Sequence, residues 1–170
     1  MSEELLVSVE DGIMTMTMNR PQAKNAMNKS MSHAIAEAID AFEADADIRV
    51  AILTGAGGTF CSGMDLKGFL AGETPVVKGR GFAGLTQYSP AKPLIAAAEG
   101  LALAGGFELL LSCDLVVATE TTKFCIPELK RSLVAGAGGV FLLPQQIPPS
   151  IAMELAVAGH PFDAKPMYEH

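Results

Sequence analysis

Two glutamates, Glu108 and Glu128, each lie beside glycine-rich or apolar sequence, where an isolated carboxylate is costly to bury. Apolar surroundings raise the pKa of a carboxyl group, and a second carboxylate close by separates the two titrations further. One group then holds a proton while the other is ionised. The pair predicts acid/base catalysis, and we interpret the chain as an enzyme.

Two glycine-containing segments, residues 60–67 and 99–108, each follow a predicted strand and lead into a predicted helix. The first amides of a helix have no intrahelical acceptor and carry the positive end of the helix dipole. Two such turns that face one another would bind an oxyanion. Removing one oxyanion donor typically costs about 2.7–4 kcal/mol in activation free energy, so a preorganised pair would dominate the rate enhancement.

Three other patterns predict no further site. Residues 79–84 match G-x-G-x-x-G but do not follow a well-defined strand, which disfavours dinucleotide binding. Residues 136–139 lack the Lys-Ser/Thr of a phosphate-binding loop, so we interpret this glycine run as a close approach of the backbone. The histidines are too scattered for a metal site, and we expect no metal.

The composition fits one compact domain, which we place at residues 1–170. The chain has 170 residues, 49% of them hydrophobic, and a formal net charge of −7. Because Lys and Arg are not clustered, neither a nucleic acid nor an anionic membrane is expected as a partner. The longest apolar stretch, residues 133–143, is shorter than the ~20 residues that a bilayer requires.

The cysteines and the N-terminus both predict a reducing compartment. Cys61, Cys113 and Cys125 lie in apolar or glycine-rich contexts without C-x-x-C spacing, and are expected to be small core residues. The sequence opens with the acidic Met1-Ser2-Glu3-Glu4 and shows no targeting signal, so the cytoplasm is the expected location.

The N-terminal third is predicted to form a hairpin and then a helix. Residues 5–9 and Ile13–Met18 read as two strands joined at Asp11-Gly12. Across residues 30–46 apolar side chains recur at helical spacing, which predicts an amphipathic helix packed on a sheet. The residues of this stripe are Met31, Ile35, Ala38, Ile39 and Phe42.

Strands then alternate with helical stretches, which predicts an α/β fold. The strand patterns cover residues 49–54, Leu94–Ala98 and Leu115–Ala118. Residues 68–93 carry many Gly and Pro residues and little periodicity, and are expected to form a mobile surface segment over a site.

These motifs, in this order, resemble the crotonase, or enoyl-CoA hydratase/isomerase, superfamily from about Leu5 to the end of the chain. Asn19-Arg20-Pro21 and Asn25-Ala26-Met27 resemble the family's early CoA-contacting segment. Residues 60–67 and 99–114 resemble its two oxyanion segments. The resemblance implies a spiral of repeated β-β-α units and an acyl-CoA thioester substrate, with coenzyme A as part of the substrate and no separate cofactor.

The resemblance also implies roles for particular residues. The amides of Met64 and Gly105 would bind the thioester oxygen. Glu108 would activate water for attack at C3, Glu128 would deliver the proton at C2, and the Gly136 amide would contact that water. Backbone-dominated contacts with CoA are implied for a further group, in which the two lysines are candidates for its phosphates: Ala23, Lys24, Ser62, Asp65, Leu66 and Lys67.

The expected function is reversible hydration of a trans-2-enoyl-CoA, or dehydration of a 3-hydroxyacyl-CoA such as a carnitinyl thioester. One alternative is a double-bond isomerase, which can manage with one acid. Another is a binding protein, which would bind acyl-CoA without catalysis or would bind RNA. The negative net charge of the chain disfavours RNA.

Two departures from the family pattern concern the C-terminal third. Family members continue through helices that cover the acyl pocket and build a trimer, and this chain is expected to lack them. A homotrimer or a dimer of trimers is expected only where those helices are present. Leu133-Val134-Ala135 also stands before Gly136 where hydratases often carry a proline, so the local turn is expected to differ.

Overall fold

The computed structural model describes residues 3–169, which begin with a β-hairpin. Strands β1 (Leu5–Glu10) and β2 (Ile13–Met18) pair antiparallel, with Leu5 opposite Met18. The turn residues Asp11 and Gly12 both have positive φ, at 51° and 78°, which the tight two-residue turn requires. The predicted hairpin is therefore confirmed.

A five-stranded sheet continues from this hairpin in the order β1-β2-β3-β6-β8. Its further strands are β3 (Val50–Gly55), β6 (Leu94–Ala98) and β8 (Leu115–Ala118). The pairs β2–β3, β3–β6 and β6–β8 are all parallel. Parallel strands end at the same edge of a sheet, so the loops after β3 and β6 meet there.

Helix α1 (Lys29–Ala44) packs its apolar stripe on the first two strands. Asn28 caps its start by accepting a hydrogen bond from Met31 N, and the predicted stripe residues are buried. The helix ends before the predicted residue 46. Lys92 Nζ, which is distant in sequence, donates to the carbonyl oxygens of Phe42, Asp45 and Ile48 and closes this end.

A second β-β-α unit carries the glutamate-bearing helix. Strand β6 leads into β7 (Leu101–Leu103) and then helix α3 (Gly105–Leu111). A three-stranded sheet, ordered β10-β9-β7, joins β7 to β9 (Lys123–Cys125) and β10 (Phe162–Asp163). The chain has the α/β spiral architecture that the sequence predicted.

Short helices complete the chain. Helix α2 (Leu66–Leu70) follows the first predicted oxyanion segment, and a 3-10 helix (Glu128–Arg131) follows β9. Another 3-10 helix (Pro21–Ala23) precedes α1. The last helices are α4 (Gly139–Gln146), α5 (Pro149–Ala158) and α6 (Ala164–Tyr168).

The expectation of a mobile surface segment at residues 68–93 is wrong for residues 81–85, which are buried. Strands β4 (Val76–Val77) and β5 (Gly81–Phe82) form a small hairpin, and Phe82, Ala83 and Leu85 are buried in the core. Ser32 Oγ and Ala83 N both donate to Pro75 O and tie the segment to α1. Gly and Pro marked turns here, but they did not mark exposure.

Two sequence expectations concern the core and the length of the apolar stretches. The three cysteines are free thiols and are buried, as expected for core residues. Burial raises the pKa of both Cys61 and Cys113 to about 12, which keeps them protonated. Within residues 3–169 no helix is long and apolar enough to cross a membrane.

Candidate active site

Most of the predicted site residues line one cleft of about 580 Å³. Both glutamates lie on it, together with both predicted oxyanion positions and part of the predicted CoA-binding group. These cleft residues are Lys24, Ser62, Met64, Leu66, Gly105, Glu108, Glu128 and Gly136. Ala23, Asp65 and Lys67 do not line the cleft.

A larger trough of about 1100 Å³ lies along the other side of α3, lined by Phe107, Leu110 and Phe124 among other residues. Its wall is mainly apolar, and neither glutamate of the predicted pair faces it. We assign the chemistry to the smaller cleft because perturbed carboxyl groups and unpaired amides converge there.

Met64 lines the cleft, and its amide has no acceptor in the described part of the chain. Its neighbours are engaged, because Met27 N donates to Gly63 O at 2.7 Å and Asp65 N donates to Met27 O at 2.9 Å. This two-sided pairing fixes the turn and leaves the amide between the two bonds free. An unpaired backbone N–H at a rigid turn is a preorganised oxyanion donor.

The amide of Gly105 is the first of α3 and has no intrahelical acceptor. The two turns are in contact: a Cβ on Gly63 would lie 2.9 Å from Ala104 Cβ and 3.4 Å from Gly105 N. Strand pairing holds them together, since Cys61 N donates to Leu101 O and Leu103 N donates to Cys61 O, each at 3.0 Å. The sequence-predicted facing turns are therefore adjacent.

Ala104 holds an unusual backbone conformation next to this donor. Its φ is 52° and its ψ is −131°, a combination that non-glycine residues rarely adopt. Such strain costs of the order of 1–3 kcal/mol and persists where surrounding contacts over-determine the backbone. Here Ala104 N donates to Cys125 O, and Ala104 O accepts from Phe107 and Glu108. The strained residue thus fixes the direction of the Gly105 amide.

Glu108 is 2% exposed and is held by backbone amides. Its Oε1 accepts hydrogen bonds from Ala137 N at 2.8 Å and Gly139 N at 2.9 Å. Burial raises the pKa of this carboxyl group, and the amides of residues 137–139 oppose that rise by stabilising the ionised form. Glu108 is therefore a rigid carboxylate with stabilisation of its charged form built in.

Glu128 faces the same cleft from the 3-10 helix and has a different environment. Its Oε2 is buried without a hydrogen-bond partner in the structure. Burial raises its pKa most, and the negative charge of Glu108 raises it further, whereas its own backbone amide and Arg131 act in the opposite direction. A buried carboxyl oxygen without an acceptor or donor is costly unless it is protonated or meets a ligand.

The predicted CoA-contacting loop is fixed against the first oxyanion segment. Ser62 N donates to Lys24 O at 3.1 Å, and Ser62 Oγ lies 3.5 Å from Ala23 O. The fully buried Asn25 donates through Nδ2 to Ala56 O and Thr59 O. Lys24 is consequently held at the mouth of the cleft while its side chain is exposed.

The side chain of Asp65 has a structural role, and the predicted backbone-dominated contact of this residue with CoA stays a prediction. Its Oδ1 accepts from Lys67 N and Gly68 N and caps α2, while its Oδ2 pairs with Arg20 Nη2 at 2.9 Å. These bonds occupy both oxygens and hold the pKa of Asp65 below its usual value, mainly through the Arg20 hydrogen bond. The Lys67 side chain is exposed outside the cleft, so its assignment to a phosphate stays a prediction.

Sequence reasoning missed four contributors to the site. Ala137 and Gly139 bind Glu108 through their amides, so only the glycine run at residues 136–139 marked this close approach. Phe82 packs its ring against Gly105, and Arg131 lines the cleft beyond Glu128. The signal for Arg131 was available, because residues three apart lie on one side of a 3-10 helix.

The sequence matches the enoyl-CoA hydratase/isomerase family over residues 8–170. It is 38% identical over 169 residues to a carnitinyl-CoA dehydratase of Proteus mirabilis (strain HI4320) and 42% identical over 169 residues to one of Salmonella enteritidis PT4 (strain P125109). Each alignment covers 97% of this chain and 64% of the relative. The chain thus spans less than two thirds of the length of these relatives.

Solved structures show the same likeness. The enoyl-CoA hydratase EchA1 from Mycobacterium marinum superposes with a TM-score of 0.96 at 55% identity, covering 99% of this chain and 66% of that one. A carnitinyl-CoA hydratase from Mycobacterium avium superposes with a TM-score of 0.94 at 39% identity, with coverage of 99% and 66%. These two solved structures share the fold of this chain.

Proposed function

This chain belongs to the enoyl-CoA hydratase/isomerase family, and we propose that it catalyses the reversible addition of water to a trans-2-enoyl-CoA, or the corresponding dehydration of a 3-hydroxyacyl-CoA. One observation carries the proposal. Two carboxyl groups with raised pKa values, Glu108 and Glu128, share a cleft with the unpaired amides of Met64 and Gly105.

The two amides would bind the thioester carbonyl oxygen. Negative charge grows on that oxygen when a nucleophile adds at C3, so donors fixed at this position stabilise the enolate more than the substrate. The helix dipole of α3 adds to the effect at Gly105. Since the amides of Met64 and Gly105 are set by strand pairing, little reorganisation is needed when the charge forms.

The environments of the glutamates support the roles that we propose for them in hydration. Glu108 is held by two amides that favour its ionised form, so it accepts a proton from water as the water oxygen bonds to C3. Glu128, whose Oε2 is buried and unpartnered, supplies the proton that ends at C2. The electron pair of the C2–C3 double bond passes through the enolate to the new C2–H bond.

The reverse reaction uses the same pair with the roles exchanged. Glu128 removes the C2 proton, and Glu108 protonates the leaving hydroxide. One proton is therefore shared between the two carboxyl groups, and their titrations belong to the pair. Coenzyme A takes part only as the carrier of the acyl group.

Labelled water tests the proposal. Enoyl-CoA thioesters incubated in isotopically labelled water should give a 3-hydroxyacyl product that carries label at C3. Glu128→Gln should still bind the thioester while turnover falls by roughly 10²–10⁴. Glu154→Gln, at an exposed position on α5, is the matched control and should keep full activity. Movement of the double bond without uptake of solvent oxygen would establish an isomerase in place of a hydratase.

Assembly and location are proposed on the family likeness and the cysteine pattern. We propose a homotrimer or a dimer of trimers for a protein that includes the C-terminal helices, which light scattering of the purified protein would test. The buried, free cysteines support a reducing compartment such as the cytoplasm. A monomer at assay concentration that retains full activity would contradict the proposed assembly.

A further inference from the structure

The charged residues that line the cleft are few. Besides Glu108 and Glu128, they are Lys24 and Arg131, and both of these are cations. Lys24 lies on the loop that is fixed to Ser62, beside the Met64 oxyanion turn. Arg131 also lines the cleft, at the end of the 3-10 helix that begins with Glu128.

The position of Arg131 follows from the geometry of that helix. A 3-10 helix has three residues per turn, so residues i and i+3 project from the same side. Arg131 is therefore one turn beyond Glu128 on the face that borders the cleft. Its neighbour Lys130 projects elsewhere, because Lys130 Nζ lies 3.0 Å from His160 Nδ1 and its side chain packs on Gly159.

The Arg131 guanidinium has no ion pair or hydrogen bond among residues 3–169. The other arginines of the chain differ. Arg20 pairs with Glu4 and Asp65, Arg80 pairs with Asp40, and Arg49 donates to Asp11 O. A guanidinium offers five donors in a fixed planar fork that matches a carboxylate. At Arg131 this fork borders the site with its hydrogen-bonding capacity unused.

We propose that Arg131 determines acyl specificity by binding a carboxylate at the distal end of the acyl chain. This inference rests on the proposed hydratase function, since it takes Glu128 to mark the reacting carbons and Arg131 to lie further along the acyl group. The substrate class is then a trans-2-enoyl thioester of a dicarboxylic acid.

The residues that line the cleft also disfavour an acyl group that carries a positive charge. A quaternary ammonium is recognised by several aromatic faces or by a carboxylate. Among residues 3–169, Phe82 is the only aromatic residue that lines the cleft, and its ring already packs against Gly105. Within the same part of the chain, the only carboxyl groups that line the cleft are the pair used in the chemistry. A carnitinyl thioester would place its ammonium near Arg131, so this chain should discriminate against it.

The test compares acyl thioesters of equal length whose distal group is a carboxylate, a carboxamide or a trimethylammonium. For the natural sequence, kcat/KM should be roughly 3- to 10-fold higher for the carboxylate than for the amide, as expected for a partly exposed, charge-assisted pair. It should be lowest for the ammonium. Arg131→Gln should remove the preference, and Lys130→Gln, one residue away, should preserve it.

Salt gives a second readout. The carboxylate preference should shrink as ionic strength rises, because solvent-exposed charge pairs are screened. Equal losses for all three thioesters in Arg131→Gln would show that Arg131 acts on the reaction through Glu128, whose pKa it lowers, or through the CoA portion, and would overturn the proposal. An unchanged carboxylate-to-amide ratio in Arg131→Gln would also overturn it.

Calorimetry separates this inference from the proposed function. The saturated analogues of the carboxylate and amide thioesters bind without reacting, so their Kd ratio reports the Arg131 contact even if no thioester is hydrated. If the Kd ratio depends on Arg131 but no thioester is turned over, only the hydratase assignment is contradicted. If the thioesters are turned over but the Kd ratio does not depend on Arg131, only the specificity assignment is contradicted.

Discussion

The carboxylate of Glu108 accepts a hydrogen bond from Gly139 N, the first residue of α4, at 2.9 Å. The start of one helix thereby fixes the side chain of another. The Glu108 and Ile126 side chains also lie close to the Gly139 backbone. A Cβ on Gly139 would lie 3.0 Å from Glu108 Cγ and 3.3 Å from Ile126 Cδ1. The position of the proposed base thus depends on the lack of a side chain at residue 139.

Gly139→Ala should lower kcat with little change in KM. The added methyl group would displace the Glu108 carboxylate, and a misplacement of about 1 Å can cost roughly 10²-fold in rate. Steady-state kinetics with an enoyl-CoA thioester measures this effect. Gly68→Ala in α2 is the control, because its Cβ would meet side chains at ordinary contact distance, Glu73 Oε2 at 3.4 Å and Asp65 Cγ at 3.9 Å. An unchanged kcat in Gly139→Ala would show that Glu108 does not need this fixation.

Parts of the fold could be predicted from local sequence because local chemistry sets them. Leu94–Ala98 and Leu115–Ala118 match the predicted strands at both ends, since a proline precedes the first and Cys113-Asp114 precedes the second. The end of α1 was missed because the lysine that closes it, Lys92, is far away in sequence. Burial of Phe82 was missed for the same reason, as its ring packs against Gly105, which is distant in sequence.

The candidate site divides in the same way. The glutamates and glycine turns are recognisable because acids and glycines are unusual in apolar sequence. Almost every residue has a backbone N–H, so residue type does not show which amides act as donors. The amides that hold Glu108 were therefore not identified. The structural role of the Asp65 side chain was not predicted because its Arg20 partner is 45 positions away along the chain. Side-chain type predicts the chemistry that a residue can perform, whereas tertiary contacts decide which acid is free to perform it.

Gly105→Ala should impair both folding and catalysis. A Cβ at this position would lie 2.6 Å from Phe82 Cζ and 2.9 Å from Phe82 Cε1, so the ring and the oxyanion amide would move apart. We expect kcat to fall by about 10²–10³, the loss typical of one oxyanion donor. The double variant Gly105→Ala/Phe82→Leu provides space for the methyl group. It should recover stability relative to Gly105→Ala by thermal unfolding, and a double variant that is no more stable would place the cause elsewhere.

Glu128→Gln should stabilise the fold at neutral pH. The pKa of Glu128 is raised by burial in the folded state, so the folded protein holds this proton more tightly than the unfolded chain. The free energy of unfolding therefore falls as pH rises from the usual value of 4.5 through the raised folded value. Glutamine cannot ionise, so the free energy of unfolding of the variant does not fall in this way.

The gain should be visible in Tm as a function of pH. Each kcal/mol would raise Tm by about 2–4 °C for a chain of this size. The difference between Glu128→Gln and the natural sequence should vanish below the usual glutamate pKa, where Glu128 is protonated in both states. The exposed control Glu154→Gln should show no such gain. A Glu128→Gln protein that is less stable at neutral pH would show that ionised Glu128 is better solvated than its burial indicates.

Asp65→Ala should destabilise the protein, because Asp65 links α2 to the Arg20 loop. The variant loses a helix cap and a partly buried ion pair, which together contribute about 1–3 kcal/mol. Asp65→Asn keeps an oxygen for the amides of Lys67 and Gly68 and should lose less. Since Arg20 holds the pKa of Asp65 low, the natural protein's advantage over Asp65→Asn should persist at neutral pH. It should disappear as pH falls through that lowered pKa.

Combining stability with kinetics decides between the two roles of this carboxylate. A structural Asp65 predicts a lower free energy of unfolding in urea for Asp65→Ala, with KM for the thioester changed only as far as the Arg20 loop shifts. A direct contact with CoA predicts a higher KM at unchanged stability. The first outcome is expected, because both oxygens of Asp65 are already occupied by Arg20 and by the first amides of α2.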